Sequence, residues 1–161
     1  MDTIALAREK WEQHGWGDAA EGMAAVTSVM RAQQVLQARV DDVLKPHGLV
    51  FARYEVLMLL LFSSRGALPA TKMSVRLQVH PASITNAVDR LEAAGLVRRV
   101  PHPTDGRGRL VEITAEGRRT ALAATEDLNA GVFARPGLSP RRTRTLVGVL
   151  EDLRRDAGDL D

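Results

Sequence analysis

The feature that most constrains the fold is a hairpin pattern in the second half of the chain. Residues 96–100 (LVRRV) and 109–114 (RLVEIT) are two runs of strand-forming residues, and the segment PHPTDGRG joins them. Asp105-Gly106 is a common turn pair between antiparallel strands. The pattern predicts a two-stranded ribbon with one face in water. Four arginines surround its turn: Arg98, Arg99, Arg107 and Arg109.

The rest of the chain is patterned as helices, with apolar residues at mixed three- and four-residue spacing. Pro81 opens one of these helices, and Gly95 stands where a C-cap glycine belongs. Asp18 and Ser139 are predicted N-caps, and Pro140 follows Ser139 at a first helical position. The predicted helices cover residues 3–14, 19–45, 52–63, 69–77, 81–94, 116–133 and 140–157.

The order of these elements predicts a mainly α fold with a small β-wing, in the α+β class. Two short helices, residues 69–77 and 81–94, form a tight pair just before the ribbon. The stretch RGALP that precedes them is interpreted as a turn. We therefore expect a single domain over residues 1–161, with a winged helix-turn-helix lobe framed by helices at both ends.

Composition excludes several classes of function. The chain of 161 residues has no cysteine, which excludes disulfides, thiolate metal sites and thiol catalysis. Its four histidines are dispersed, so we expect no metal and no cofactor. Gly-x-Ser-x-Gly, phosphate-loop and HExxH patterns are absent from the sequence, and we expect no enzyme. The longest apolar run, VLMLLLF, is far shorter than the roughly 18 residues of a membrane span, which predicts a cytoplasmic protein without a membrane partner.

Charge is spread unevenly along the chain. The formal net charge is only +2, but residues 65–110 contain eight lysines or arginines against three acids. A basic block inside a nearly neutral protein indicates a local site for a polyanion, with an ordinary solvated basic face as the alternative.

The segment ASITNAVDRLEAAGLVRRVPHPTDGRGRLVEIT, followed by AEGRR, resembles the MarR family of bacterial transcriptional regulators. The resemblance implies a homodimer whose dimerisation helices are residues 19–46 and 116–157, and whose DNA-binding lobe is residues 52–114. Such regulators are mostly repressors. Many release a pseudo-palindromic operator when a small anionic or aromatic ligand binds between the lobe and the dimer helices.

The resemblance makes residues 81–94 the recognition helix, which reads double-stranded DNA in the major groove. Asn86 can pair with an adenine through two hydrogen bonds. Helix capping and core support are the alternative roles for Ser83 and Thr85. The implied major-groove contacts are Ser83, Thr85, Asn86 and Arg90.

The ribbon is implied to be a wing that inserts Arg107 into a minor groove. Asp105 is expected to orient Arg107 through a charge-assisted pair. Many relatives carry a second charged residue where this chain has Gly106. Contacts to the phosphate backbone are expected from two groups. One flanks the tip and comprises Arg98, Arg99 and Arg109; the other lies on residues 69–77, where solvated charge is the alternative, and comprises Lys72, Ser74 and Arg76.

Two further sets of residues follow from the resemblance. Apolar stripes on the terminal helices suit either an internal core or a dimer interface, and the resemblance favours the dimer: Val29, Leu36, Val40, Leu146, Leu150 and Leu153. The tryptophan-bearing N-terminal segment resembles a subgroup that senses urate and similar anionic metabolites, although Ala87 stands where that subgroup carries an arginine. The implied ligand residues, with simple packing of the tryptophans as the alternative, are Trp11, His14, Trp16, Arg53 and Glu55.

The sequence thus predicts a homodimeric, ligand-responsive repressor. One alternative is a DNA-binding autoregulator that responds to no ligand. Another is a helical protein-interaction module that has kept this fold and lost the ability to bind DNA. The salt dependence of binding separates the last from a true DNA binder.

Overall fold

The computed structural model describes residues 1–160 of the chain. The predicted helices and both predicted strands are present, with boundaries that shift by a few residues. The chain also forms a 3₁₀ turn, Lys45–His47, and a π-helical turn, Asn129–Phe133. The elements are α1 (Thr3–Gln13), α2 (Gly17–Leu44), α3 (Phe51–Phe62), β1 (Ala67–Leu68), α4 (Ala70–Leu77), α5 (Pro81–Ala93), β2 (Val97–Pro101), β3 (Arg109–Ile113), α6 (Ala115–Leu128) and α7 (Pro140–Asp156).

Side-chain capping bonds start α1, α5, α6 and α7, whereas α2, α3 and α4 begin without one. Ser139 caps α7 as predicted, since its hydroxyl accepts from the backbone N–H of Arg142, and Pro140 is the first helical residue. The prediction for Asp18 is wrong, because α2 begins at Gly17 and Trp16 occupies its cap position. Gly15, at φ +82°, turns the chain tightly enough for the helix to start early. Asp18 then lies in the first turn, where its charge complements the helix dipole.

The sheet has three antiparallel strands in the order β1-β3-β2. The hairpin of β2 and β3 was predicted, and its register pairs Arg98 with Glu112 and Pro101 with Arg109. The segment RGALP was predicted as a turn, and that is wrong for its centre. Ala67 and Leu68 form β1 against β3, and the carbonyl of Gly66 accepts from the N–H of Ile113 at 2.9 Å. Two residues are too few to show an alternating pattern.

The core lies in the lobe and is almost entirely aliphatic. The central helix α3 buries Val56, Leu57 and Leu60, which face α5 and α6. Burying one such side chain stabilises the fold by about 1.5–3 kcal/mol. The largest side chains that are fully buried are Leu44, Leu57, Leu60, Met73, Ile84, Leu91 and Leu128. Across residues 1–160, no helix is both long enough and apolar enough to cross a membrane.

The outer helices have a different character. Helix α7 has no buried residue, and α2 buries only Ala20, Val40 and Leu44 along its 28 residues. Apolar side chains nevertheless lie exposed on both helices, among them Val29, Leu36, Leu146 and Leu153. These faces are not covered by their own chain.

Gly117 provides a test of packing at the junction of the sheet and α6. A Cβ at this position would lie 2.1 Å from the backbone oxygen of Leu96 and 2.9 Å from Cγ1 of Ile113. Gly117→Ala should therefore lower the free energy of unfolding by about 1–3 kcal/mol or more. Urea denaturation at fixed protein concentration measures the change.

Gly22→Ala is the matched control, because nothing lies within 4 Å of a Cβ placed there in α2. It should raise helix stability by about 0.5–1 kcal/mol. Equal effects of the two variants would contradict the close packing at Gly117.

Candidate nucleic-acid interface

Helix α5 presents two faces of opposite character. Its inner face buries Ile84, Ala87, Val88 and Leu91 in the lobe. Its outer face leaves exposed all four of the residues predicted to read DNA: Ser83, Thr85, Asn86 and Arg90. Spacings of three, four and seven residues place Ser83, Asn86 and Arg90 in one row. The core therefore fixes which side of α5 faces outward.

The start of α5 is capped by His80, which was not among the predicted caps or site residues. Nδ1 of His80 accepts from the backbone N–H of Ala82 at 3.1 Å, and Pro81 is the first helical residue. The cap is therefore supplied by His80 and not by Ser83 or Thr85. The hydroxyl of Thr85 donates to the carbonyl of Pro81 at 3.2 Å, which holds its side chain against the first turn. The position of His80 directly before a proline was the available signal.

The loop between β2 and β3 is held by its own hydrogen bonds. The N–H of Gly108 donates to the carbonyl of Asp105 at 3.1 Å, and the N–H of His102 donates to the carbonyl of Gly108 at 2.9 Å. Nδ1 of His102 also accepts from the backbone N–H groups of Thr104, at 3.3 Å, and Asp105, at 3.2 Å. Asp105 thus opens a four-residue turn that places Arg107 at the tip.

The predicted ion pair between Asp105 and Arg107 is wrong. The carboxylate of Asp105 accepts from the backbone N–H of Arg107 at 3.1 Å. Asp side chains commonly bond a backbone group two residues further along a turn. Asp105 therefore shapes the tip and leaves the Arg107 guanidinium free of ion pairs within residues 1–160. A Cβ on Gly108 would lie 3.0 Å from Oδ2 of Asp105, so only glycine fits this turn without displacement.

Arg98 and Arg99 do not flank the tip, contrary to the prediction. Both lie on β2 and pair with acids, Arg98 with Glu112 across the sheet. Arg99 bonds Asp89 and Glu92 of α5, each at 2.5 Å, and its backbone N–H donates to Glu92 at 2.9 Å. These bonds from the Arg99 backbone and side chain hold the pKa of Glu92 below its usual value. The pKa of Arg99 is raised by its bond to Asp89.

The remaining cations near the predicted interface are unpaired. Lys72 and Arg76 are exposed on α4, and Met73 between them is buried and anchors that helix. Ser74 is half-buried. Within the described part of the chain, these groups make no ion pair within 4 Å: Lys72, Arg76, Arg90, Arg107 and Arg109.

The turn between α4 and α5 is tied to the end of α7. Gln78 has φ +53° and, in residues 1–160, is the one residue other than glycine in the left-handed region. Its amide donates to the carbonyl of Asp159 at 3.2 Å, and Arg154 donates to its side-chain oxygen at 3.4 Å. The C-terminal helix therefore contacts the turn that positions α5.

The five predicted ligand residues do not come together within one chain, which corrects that prediction. Trp16 packs against Trp11 and His14, with ring centroids 5.4 Å and 5.3 Å apart. This group lies at the turn between α1 and α2, because α1 folds back along α2. Arg53 and Glu55 lie on α3, beyond the other end of the 28-residue α2, a helix about 42 Å long.

Arg53 lines a different cleft, of about 670 Å³, between the start of α3 and the outer face of α5. Ser83, Asn86 and Arg90 line the same cleft. Glu55 is half-buried on α3, and burial raises the pKa of its carboxyl group. Two guanidinium groups therefore face one space beside α5. Within residues 1–160, no group of three His, Asp or Glu residues is placed to hold a metal ion.

The predicted dimer residues divide into two groups. A groove of about 320 Å³ between α2 and α7 is lined by Val29, Leu36, Leu146 and Leu150, and Leu153 is exposed further along α7. Val40 also borders this groove, but it is only 7% exposed and belongs to the lobe core. Its own chain covers most of this side chain, so Val40 contributes mainly to the lobe core, and its place in a dimer interface stays a prediction.

These elements define a winged helix-turn-helix protein: α4 and α5 are the paired helices, and β2 and β3 are the wing. The model of the MarR family matches residues 52–108. The solved structure of Sco5413, a MarR family transcriptional regulator from Streptomyces coelicolor, is 49% identical, covers 88% of this chain and 98% of its own, and has a TM-score of 0.79. The chain belongs to the MarR family.

Two other relatives extend the comparison. Sco3205 from Streptomyces coelicolor, a MarR family transcriptional regulator solved in complex with DNA, is 29% identical over 85% of this chain and 88% of its own, with a TM-score of 0.71. HTH-type transcriptional regulator ML2140 of Mycobacterium leprae is 33% identical over 98 residues, or 61% of this chain. The match spans 64% of the length of that curated relative.

The role of Asp105 can be tested at the wing tip. Asp105→Ala removes the acceptor for the Arg107 N–H and should speed hydrogen exchange of that amide by roughly fivefold. Asp105→Asn keeps an acceptor oxygen and should leave the exchange rate nearly unchanged. Amide exchange followed by NMR separates the two. If Asn and Ala speed exchange equally, the negative charge and not the acceptor organises the turn.

Proposed function

We propose that this protein is a sequence-specific DNA-binding transcriptional regulator that acts as a homodimer. One observation carries the proposal: an exposed row of Ser83, Asn86 and Arg90 stands beside a wing whose tip arginine is unpaired. A major groove admits one helix, and a narrow minor groove attracts an arginine. The relative Sco3205, solved with DNA, supports the same assignment.

Each proposed contact has a distinct role. Asn86 reads a base edge, while Ser83, Thr85 and Arg90 position α5 in the groove. Arg107 enters the minor groove. Lys72, Ser74, Arg76 and Arg109 hold phosphates, whereas Arg98 and Arg99 act mainly within the protein, since acids of the same chain already neutralise them.

The dimer is proposed from the uncovered apolar faces of α2 and α7. Val29, Leu36, Leu146 and Leu150 border one groove, and no residue of α7 is fully buried by its own chain. A second copy related by two-fold symmetry would cover these faces and present two α5 helices to a pseudo-palindromic operator. Such a protein works as a binding protein with no catalytic role, in the cytoplasm beside the chromosome.

We further propose that the protein is a repressor and that a small ligand releases it from DNA. The cleft between α3 and α5 contains Arg53 and Arg90, which suit a small anionic or aromatic acid. Ser83 and Asn86 line the same cleft, so an occupant would compete with DNA for these side chains. A regulator without a ligand remains the alternative, and displacement of bound DNA by aromatic carboxylates would distinguish the two.

DNA binding is tested by fluorescence anisotropy with duplexes selected from random DNA, in a salt series beside scrambled DNA. Wild-type protein should prefer the selected duplex and lose affinity steeply as salt rises. Asn86→Ala should cost about 1–3 kcal/mol at one base position and little on scrambled DNA. Arg107→Ala should weaken binding at least roughly tenfold while the thermal melting curve is unchanged.

Arg119→Ala is the control, because Arg119 pairs with Glu116 on α6 and lines neither the cleft beside α5 nor the one beside α4. Binding that ignores both sequence and salt would contradict the proposed function. Uniform weakening by Asn86→Ala on all sequences would remove Asn86 as a base reader.

The dimer prediction concerns Leu146, which is 41% exposed in the groove between α2 and α7. Leu146→Asp should raise the dimer dissociation constant by roughly a hundredfold, because the interface would bury an unpaired carboxylate. Light scattering across a dilution series measures this change. Val75→Asp, on α4 of the lobe and 75% exposed, is the matched control and should leave the dimer intact. A monomeric wild-type protein would contradict the proposal.

A further inference from the structure

The basic surface that includes Lys72 and Arg76 continues on the side of the lobe where α4 faces the wing loop. It is a cleft of about 450 Å³, bordered by the end of α3, by β1, by α4 and by the start of the loop after β2. Arg65, Lys72 and Arg76 line it together with His102. Arg65 is the first residue of the basic block at 65–110, and no contact was predicted for it. The recognition residues Ser83, Asn86 and Arg90 do not border this cleft.

The charge of this cleft is uncompensated. None of its lining residues is an acid, and its arginines and lysine make no ion pair elsewhere in residues 1–160. The contrast with β2 is direct, because Arg98 and Arg99 on that strand are both paired with carboxylates. Cations left unpaired around one concave space produce a local positive potential that attracts a polyanion.

The neutral groups of the cleft suit a sugar-phosphate chain. Nδ1 of His102 accepts backbone N–H bonds, so in this tautomer Nε2 carries the proton and can donate. Ser64 adds a hydroxyl donor. Phe62, 77% exposed, and Leu68 form an apolar wall. Donors for phosphate oxygens beside a wall for a sugar ring match the repeating chemistry of a nucleic-acid backbone.

The location of the cleft specifies which part of the duplex it would meet. One sugar-phosphate strand separates a major groove from the adjacent minor groove. A protein that places α5 in the first groove and its wing in the second brings that strand close to the wing loop and to α4, the helix that precedes α5, and this cleft lies between those two elements. We infer that the cleft holds this dividing strand and that Arg65 is a phosphate-binding residue. The inference rests on the proposed function and extends its contact surface.

The experiment pairs protein variants with single neutral methylphosphonates placed at each phosphate of the selected duplex. For wild-type protein, neutralising one phosphate between the two grooves should weaken binding. Arg65→Ala should weaken binding to unmodified DNA by about tenfold and reduce the salt slope by about 1. On that variant, the same methylphosphonate should have no further effect, because the pair is already broken.

Two more variants complete the test. Arg65→Lys keeps the charge and should retain most of the salt slope, whereas Arg119→Ala should behave as wild type at every phosphate. If the methylphosphonate costs Arg65→Ala as much as it costs wild type, or if the coupled phosphate lies outside the strand between the grooves, the inference is overturned while the proposed function stands. If wild-type protein shows no sequence preference on any duplex, the proposed function itself fails.

Discussion

The arrangement of the lobe depends on the cluster that Arg99 forms with Asp89 and Glu92. Exposed ion pairs usually contribute little, but Arg99 is only partly exposed and bonds both carboxylates while its backbone N–H bonds Glu92 as well. These contacts tie β2 to the recognition helix. Because the wing extends from β2, the cluster sets the angle between the two elements that are proposed to enter neighbouring grooves.

Contacts at the start of the recognition helix also fix its position. Gln78, in the turn before α5, is bonded by Arg154 and by the carbonyl of Asp159. Helix α5 is thus held at its start by the C-terminal segment and near its end by the wing. Since α7 also carries the proposed dimer face, the position of α5 is linked physically to the helix that would set the separation of the two lobes in that dimer.

The helices, the hairpin and the outer face of α5 could be predicted from sequence because each depends on local signals. Apolar periodicity, Pro81, Gly95 and Ser139 mark helix faces and ends. Distant partners decide the features that could not be predicted. The strand β1 exists because β3 lies beside it, and Arg99 is neutralised by acids seven and ten residues away.

Side-chain geometry explains the other differences between prediction and structure. The carboxylate of Asp105 bonds a backbone N–H and not a guanidinium, a choice that charge patterning does not reveal. Val40 shares the apolar stripe of Leu36 but rotates into the lobe core. Trp16 is separated from Arg53 because α2 is long and α1 folds back along it. The types of the residues alone do not reveal this distance.

The lack of buried side chains in α7 has a consequence for the protein at low concentration. A helix of 17 residues is marginally stable by itself in water. In a lone chain, α7 would keep few contacts beyond those near Gln78, and its last turns would fray while the aliphatic core of the lobe stayed folded. If dilution separates the two chains of the proposed dimer, the C-terminal helix would loosen first, and with it the bonds that hold the turn before α5. The position of α5 would then depend on the concentration of the protein in the cell.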